Sequence, residues 1–394
     1  MFEFTALPPL ALYIHLPWCV RKCPYCDFNS HEAKHELPER AYVDALLRDL
    51  EESLPRVWGR TIYSVFIGGG TPSLFSPEAI DTLLTGVRAR LPVSAGAEIT
   101  LEANPGTVDE QRFTGFREAG VNRLSVGIQS FSSPLLERIG RIHDGAQSRR
   151  AVEAALRAGF DNFNLDLMFG LPGQSVEEAL ADIATAIGLQ PRHISLYQLT
   201  LEPNTAFAHT PPVLPDDDAC WEMQTRGIAL LAQHGYARYE VSAYARAGST
   251  SRHNLNYWTF GDYLGIGAGA HGKITDAHTQ TITRVWKRRH PREYLDQPGP
   301  AGEKVLTPDD AALEFMMNAL RLTGGFTTEL FTERTGLPPD WIGAALEAAK
   351  IRGMIEWDGY NIRPTAFGMN FLNDLVQLFL IPDHGSTTQR EGIR

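Results

Sequence analysis

The sequence has only four cysteines among 394 residues, and three of them crowd into one short stretch. That is not the even scatter of a disulfide framework, and it points to a reducing compartment, with the cytoplasm as the expected location. No apolar run is long enough to span a membrane, and nothing at the N-terminus resembles a signal peptide. An excess of positive charge is also missing. Lys and Arg number 36 against 47 Asp and Glu, a formal net charge of −11. Nucleic acid is therefore not expected as the main partner, because neutralising phosphates needs a basic footprint. No repeat appears beyond an alternation of strand and helix.

What is present is 43% hydrophobic and 21% charged residues, a globular composition with enough chain for one large domain and a smaller one. Cys19, Cys23 and Cys26 are spaced Cys-x-x-x-Cys-x-x-Cys. A loop this short can wrap three thiolates around one inorganic centre. It offers no nearby fourth thiolate, whereas structural zinc sites and fully protein-ligated iron–sulfur clusters both want four ligands. Three thiolates leave one iron of a cubane open to an outside ligand. The bland alternatives are a zinc loop or unreactive thiols. Cys220 stands alone on an expected helix and reads as a small core residue.

The periodicity predicts strands over 12–16, 62–67, 98–102, 123–129, 162–168 and 194–199. Helices are predicted between them, over 38–54, 109–119, 133–140, 146–158 and 216–234. Ser76-Pro77 signals another N-terminus, and Ser175 with Glu178 a capping box. Six strand–helix repeats imply a parallel sheet short of the eight that close a barrel, so an α/β open (β/α)6 partial TIM barrel is expected over residues 1–245. Residues 246–297 read as a loop-rich extension closing the barrel mouth. Residues 301–382 read as a smaller C-terminal helical, winged-helix-like domain, with a hairpin over 355–362. Residues 383–394 read as a frayed tail.

Gly68-Gly69-Gly70-Thr71-Pro72 follows a strand, and glycine there lets backbone N–H groups approach a ligand. Alone the motif equally fits a tight turn. It lacks the Walker lysine and the dinucleotide spacing. Further along stand Leu101-Glu102-Ala103-Asn104-Pro105, Ser125 to Phe131, Gly140-Arg141 and Asn164 to Gly173.

With the cysteine spacing and Tyr25 before the last cysteine, these motifs resemble the radical S-adenosylmethionine (SAM) superfamily. Within it they resemble the coproporphyrinogen dehydrogenase family, over roughly residues 11 to 380. The resemblance implies that Cys19, Cys23 and Cys26 hold a 4Fe–4S cluster whose open iron takes SAM. Reductive cleavage would then give methionine and a 5′-deoxyadenosyl radical, fed by an electron donor. It further implies SAM contacts from Tyr13, Gly69, Gly70, Thr71, Glu102, Gln129, Arg141 and Asp166, with the adenine near Tyr25. Such roles suit the side chains: Arg141 can pair with a carboxylate, and Asp166 and Gln129 can hold ribose hydroxyls.

Two departures choose within the family. True dehydrogenases of this kind carry a fourth cysteine two residues after the last cluster ligand, where this chain has Phe28. They also carry an N-terminal extension, which is not expected here because the cysteine motif starts at residue 19. Both features resemble the haem-chaperone subgroup, the HemW-like proteins. So does His253-Asn254-Leu255-Asn256-Tyr257-Trp258, which implies haem contacts from His253, Tyr257 and Trp258. A loop histidine can ligate haem iron through its neutral imidazole, and the aromatics can stack on the porphyrin. Equally, the histidine could hold the loop by hydrogen bonds. His271, among glycines, is a second candidate. Arg284, Lys287, Arg288, Arg289, His290 and Arg292 form a basic patch, either a solvated surface or a site for propionates or an acidic partner. The expected function is haem delivery to acceptor haemoproteins. The alternatives are oxidative decarboxylation of coproporphyrinogen III and radical chemistry on another substrate.

Overall fold

The strands alternate strictly between two faces, and this alternation builds the molecule. A computed structural model describes residues 2–380. Strands β1 (Leu10–Leu16), β2 (Ile62–Gly69), β3 (Val93–Ala103), β4 (Arg123–Gln129), β5 (Phe163–Phe169) and β6 (His193–Gln198) lie in chain order and pair in parallel. One face carries Leu12, Ile14, Val65, Ile67, Leu101, Val126, Leu165 and Ile194, all buried in a single large core. Helices supply the other half of that core through Leu46, Leu83, Phe113, Phe116, Val152 and Ile183. The intervening residues are polar or aromatic: Tyr13, Ser64, Phe66, Glu102, Ser125, Asn164, Asp166 and Tyr197. They face the barrel interior, since successive strand side chains point to opposite faces. The helix starts follow the local signals. Ser76 accepts from the Ala79 N–H, and Ser175 and Glu178 close a reciprocal capping box.

The segment 246–297 is not loop-rich. It contains a helix, α1 (Arg252–Trp258), and strands β9 (Asp262–Ile266), β10 (His271–Asp276) and β11 (Thr281–Lys287), after the short β7 (Ala237–Glu240) and β8 (Ala243–Ala245). With β12 (Pro300–Val305) the sheet order is β12-β11-β10-β9-β1-β2-β3-β4-β5-β6-β8-β7. Strand β9 is a seventh parallel strand, beside β1, with Leu10 opposite Asp262 and Ile14 opposite Ile266. The glycines that suggested a loop serve close strand packing instead. A Cβ on Gly265 would lie 1.9 Å from the His271 carbonyl oxygen, and one on Gly267 (φ 106°) 2.3 Å from that of His15. Helix α1 lies away from the mouth, beside the N-terminal halves of the strands, where the Arg252 guanidinium donates to the Gly96 carbonyl and the His253 N–H to Glu98.

The two ends of the sheet, β12 and β7, do not pair among the described residues, so the barrel is open. The C-terminal part has helices over Pro308–Ala319, Thr328–Thr335 and Gly343–Ile351 and a three-stranded sheet, in which Asn361–Pro364 lies between Phe326–Thr327 and Ile355–Trp357. Its core is not built from residues 301–382 alone: Phe2, Phe4, Phe260 and Ile282 pack with Phe315, Phe331 and Ile362. The tail expected over 383–394 lies outside the described residues.

Candidate active site at the barrel mouth

A cavity of about 430 Å³ opens at the C-terminal ends of the strands. Its walls bring together Cys19, Cys23, Cys26 and Tyr25 from the cysteine loop, and Gly69, Gly70, Thr71, Glu102, Gln129, Arg141 and Asp166 from four successive strand ends and a following turn. Tyr13 is not on the wall. It lies deeper, its hydroxyl 2.9 Å from Nδ1 of His15, while His15 Nε2 meets the Asn29 carbonyl.

The cysteine loop is held from several sides. The Arg21 guanidinium donates to the Gly140 carbonyl at 2.6 Å, and Glu32 accepts from the Lys22 N–H. The glycine turn does not offer free donors, contrary to the sequence expectation. Its N–H groups are taken: Gly69 donates to Glu102 Oε2 (3.1 Å), Gly70 to the Leu16 carbonyl and Thr71 to the Trp18 carbonyl. The glycines permit contact between two loops, since a Cβ on Gly70 would sit 2.5 Å from the Trp18 carbonyl oxygen. A cationic ammonium needs acceptors, and Glu102 supplies them at this point.

Burial pushes the Glu102 carboxyl up to about 8, the Asp166 charge adds to the shift, and the Gly69 N–H opposes it. Glu102 faces the open cavity, so water tempers the burial. Asp166 is also raised by burial, against hydrogen bonds from Asn164, Ser125 and Tyr197. Those three partners escaped the sequence reading, though the period-2 pattern places them on the same face as Asp166. Arg141 donates to the Gly127 carbonyl at 2.6 Å and approaches Cys23 Sγ at 3.8 Å. Its Nε is buried without a partner. Gln129 takes a left-handed backbone (φ 67°) at a bulge in β4, and its amide lies close to Gly127 beside Arg141. Strain of this kind is found where side-chain aim matters.

The residues fit a cluster with SAM. Three half-buried thiols line one cavity, and a cubane presents its irons at separate corners, one to each thiolate. The orphaned Arg141 Nε and the two carboxyls kept from full hydration suit a zwitterionic, hydroxyl-bearing ligand.

His253, Tyr257 and Trp258 are not in this cavity. His253 belongs to α1 rather than to a loop. It is 3% exposed, stacks on Phe66 with ring centroids 5.0 Å apart, and pairs through Nδ1 with Ser64. Burial drives its imidazole down to about 3. Tyr257 packs between His253 and Tyr263 with tilted rings, and the Arg321 guanidinium lies 4.3 Å over the Trp258 ring. The apolar half of the motif fills the lower barrel, so the hydrogen-bonding alternative describes His253 as folded. The basic patch is dispersed: Arg284 pairs with Glu314, Lys287 with buried Asp49, and Arg288 with Gln297.

An open α/β barrel with a three-thiol loop and a polar cavity at its strand ends defines a radical SAM protein. The model of the Radical SAM superfamily matches residues 13–186, and that of the HemN C-terminal domain residues 306–371. The chain belongs to the HemW family within that superfamily. It is 52% identical to "Heme chaperone HemW" of Escherichia coli K12 over 374 residues, covering 95% of this chain and 99% of that protein. It is 36% identical to the protein of the same name from Bacillus subtilis 168, covering 93% and 98%. In fold it is similar to the solved coproporphyrinogen III oxidase (HemN) of Escherichia coli, with TM-score 0.80 at 23% identity over 95% of this chain and 90% of that one.

Proposed function

We propose that this protein is a haem chaperone that binds haem and passes it to acceptor haemoproteins. In this reading Cys19, Cys23 and Cys26 hold a 4Fe–4S cluster, and SAM occupies the cavity beside it. The cluster supplies an open iron for SAM and a low-potential electron when reduced. Glu102 receives the SAM ammonium group, Arg141 its carboxylate, and Asp166, steadied by Asn164 and Ser125, its ribose. Gln129 is aimed across the same space by its strained backbone.

The observation that carries the choice over decarboxylation is Phe28. It stands on the cavity wall, 62% exposed, where the resembling dehydrogenases have a further cysteine. A phenyl ring there offers no thiol chemistry. Haem-loaded, cluster-reconstituted protein mixed anaerobically with an apo-haemoprotein tests the reading. The expected result is the acceptor's spectrum appearing at the expense of the donor's. Formation of protoporphyrinogen from coproporphyrinogen III, with no haem transfer, would favour the dehydrogenase instead.

A further inference from the structure

A different surface carries the groups that haem recognition needs. Strands β10 and β11 run antiparallel with His271 directly opposite Trp286, and β12 continues the row with Gly302 opposite Trp286. Directly opposed residues of antiparallel strands share a face, with Cβ atoms about 4.5–5.5 Å apart. Because Gly302 has no side chain, the indole lies over it; a Cβ there would be 2.4 Å from the Trp286 ring. Trp286 is 37% exposed, and His271 is exposed with no side-chain hydrogen-bond partner among the described residues. Partial burial, with Arg284 and Arg289 nearby, holds the His271 imidazole below its usual value. Arg289 is exposed and has no ion-pair partner among the described residues.

This ledge is tied to the cysteine loop. The Asn29 amide, three residues after Cys26, donates to the Ala268 carbonyl at 2.9 Å and the Arg289 carbonyl at 2.8 Å. Strand β10 begins at the mouth end of the barrel, since it runs antiparallel to β9, which is itself parallel to β1.

We infer that haem docks on this ledge, with His271 ligating the iron, Trp286 beneath the porphyrin and Arg289 pairing with a propionate. The inference rests on the haem-chaperone reading. A neutral imidazole is the usual haem ligand, an indole stacks on a porphyrin, and a guanidinium pairs with a carboxylate. The chain supplies one axial ligand here and leaves the opposite face of the haem open. An acceptor can therefore offer its own ligand before His271 lets go. Asn29 couples the ledge to the loop that carries the three thiols.

The test is an anaerobic titration of the full chain with ferric haem, followed by Soret absorbance, and a parallel titration with metal-free protoporphyrin IX. His271→Ala should weaken haem binding at least tenfold and abolish the histidine-ligated spectrum, while leaving protoporphyrin affinity unchanged. Trp286→Ala should weaken both ligands and Trp286→Phe should restore them. His253→Ala should keep the wild-type haem spectrum. Unchanged haem affinity and spectrum in His271→Ala, with wild-type binding intact, would overturn the ledge and leave the chaperone reading standing. No saturable haem binding by the wild type would overturn both.

Discussion

Glu102 shows how one side chain can report its ligand. Its carboxyl is pushed up towards about 8, a shift that cavity water tempers, so it holds a proton in part at pH 7. A cationic group beside it favours the carboxylate. SAM binding at pH 7 should therefore release a measurable fraction of a proton, the linkage expected when a raised value falls on binding. Calorimetric titration in two buffers of different ionisation enthalpy measures this directly. Glu102→Gln should remove the release, and a release that persists in the variant would place the proton elsewhere. Arg141 makes the complementary case. Its Nε is buried and unpartnered, so a carboxylate is worth more to it than a new hydrogen bond on a solvated side chain. Arg141→Ala should weaken SAM binding by roughly 1.5–3 kcal/mol, the scale of a hydrogen bond to a charged group. Equal affinity in equilibrium dialysis would refute the role.

At the level of elements, the cysteine loop and the β4 bulge do different work. The loop is fixed from outside by Arg21, Glu32 and Asn29. It should keep its path when a ligand is lost, so Cys23→Ser should fold yet fail to assemble the cluster. Iron and sulfide analysis with the visible iron–sulfur absorption reads this out, and an unchanged spectrum would sink the ligand assignment. The bulge stores strain at Gln129. Replacing it with glycine relieves about 1–2 kcal/mol of left-handed strain, against roughly 0.5–1 kcal/mol of added backbone entropy. Gln129→Gly should therefore melt within a few degrees of wild type while binding SAM more weakly. A variant that binds SAM normally would show that the strain has no part in the site.

Among the described residues four buried histidines have values that burial lowers: His15 to about 4, His143 to about 4, His253 to about 3, and His193 well below its usual value. Each is neutral in the fold, whereas the unfolded chain takes up protons below about 6.5. Their stabilising effect is thus complete above pH 6.5 and is lost as pH falls towards 4. Glu102 and Asp182, raised to about 8 and about 6, act in the opposite sense and are most favourable to the fold at low pH. For His253 alone the difference between pH 7 and pH 5 is about 2 kcal/mol. His253→Asn should reduce the pH 7-to-5 loss of stability in urea by that amount. An unaltered pH dependence would mean that His253 is protonated freely in the fold.

The sequence by itself determined the chemistry and the scaffold. Cysteine spacing and strand alternation are local, so the three-thiol loop, the six parallel strands and the inward-facing Glu102, Gln129 and Asp166 could all be read along the chain. Asn164, Ser125 and Tyr197 were also within reach, since the same alternation places them beside Asp166. What only the tertiary structure decided are the matters of contact between distant segments. Glycines at 265–272 look like loop residues in one dimension, and their use appears only when β9 joins β1. His253 looks like an exposed ligand in its motif, and its burial depends on Phe66 and Ser64, 187 and 189 residues earlier in the chain. The row of His271, Trp286 and Gly302 likewise exists only through strand register. Residue type follows from local chemistry, whereas exposure follows from which distant surfaces close over it.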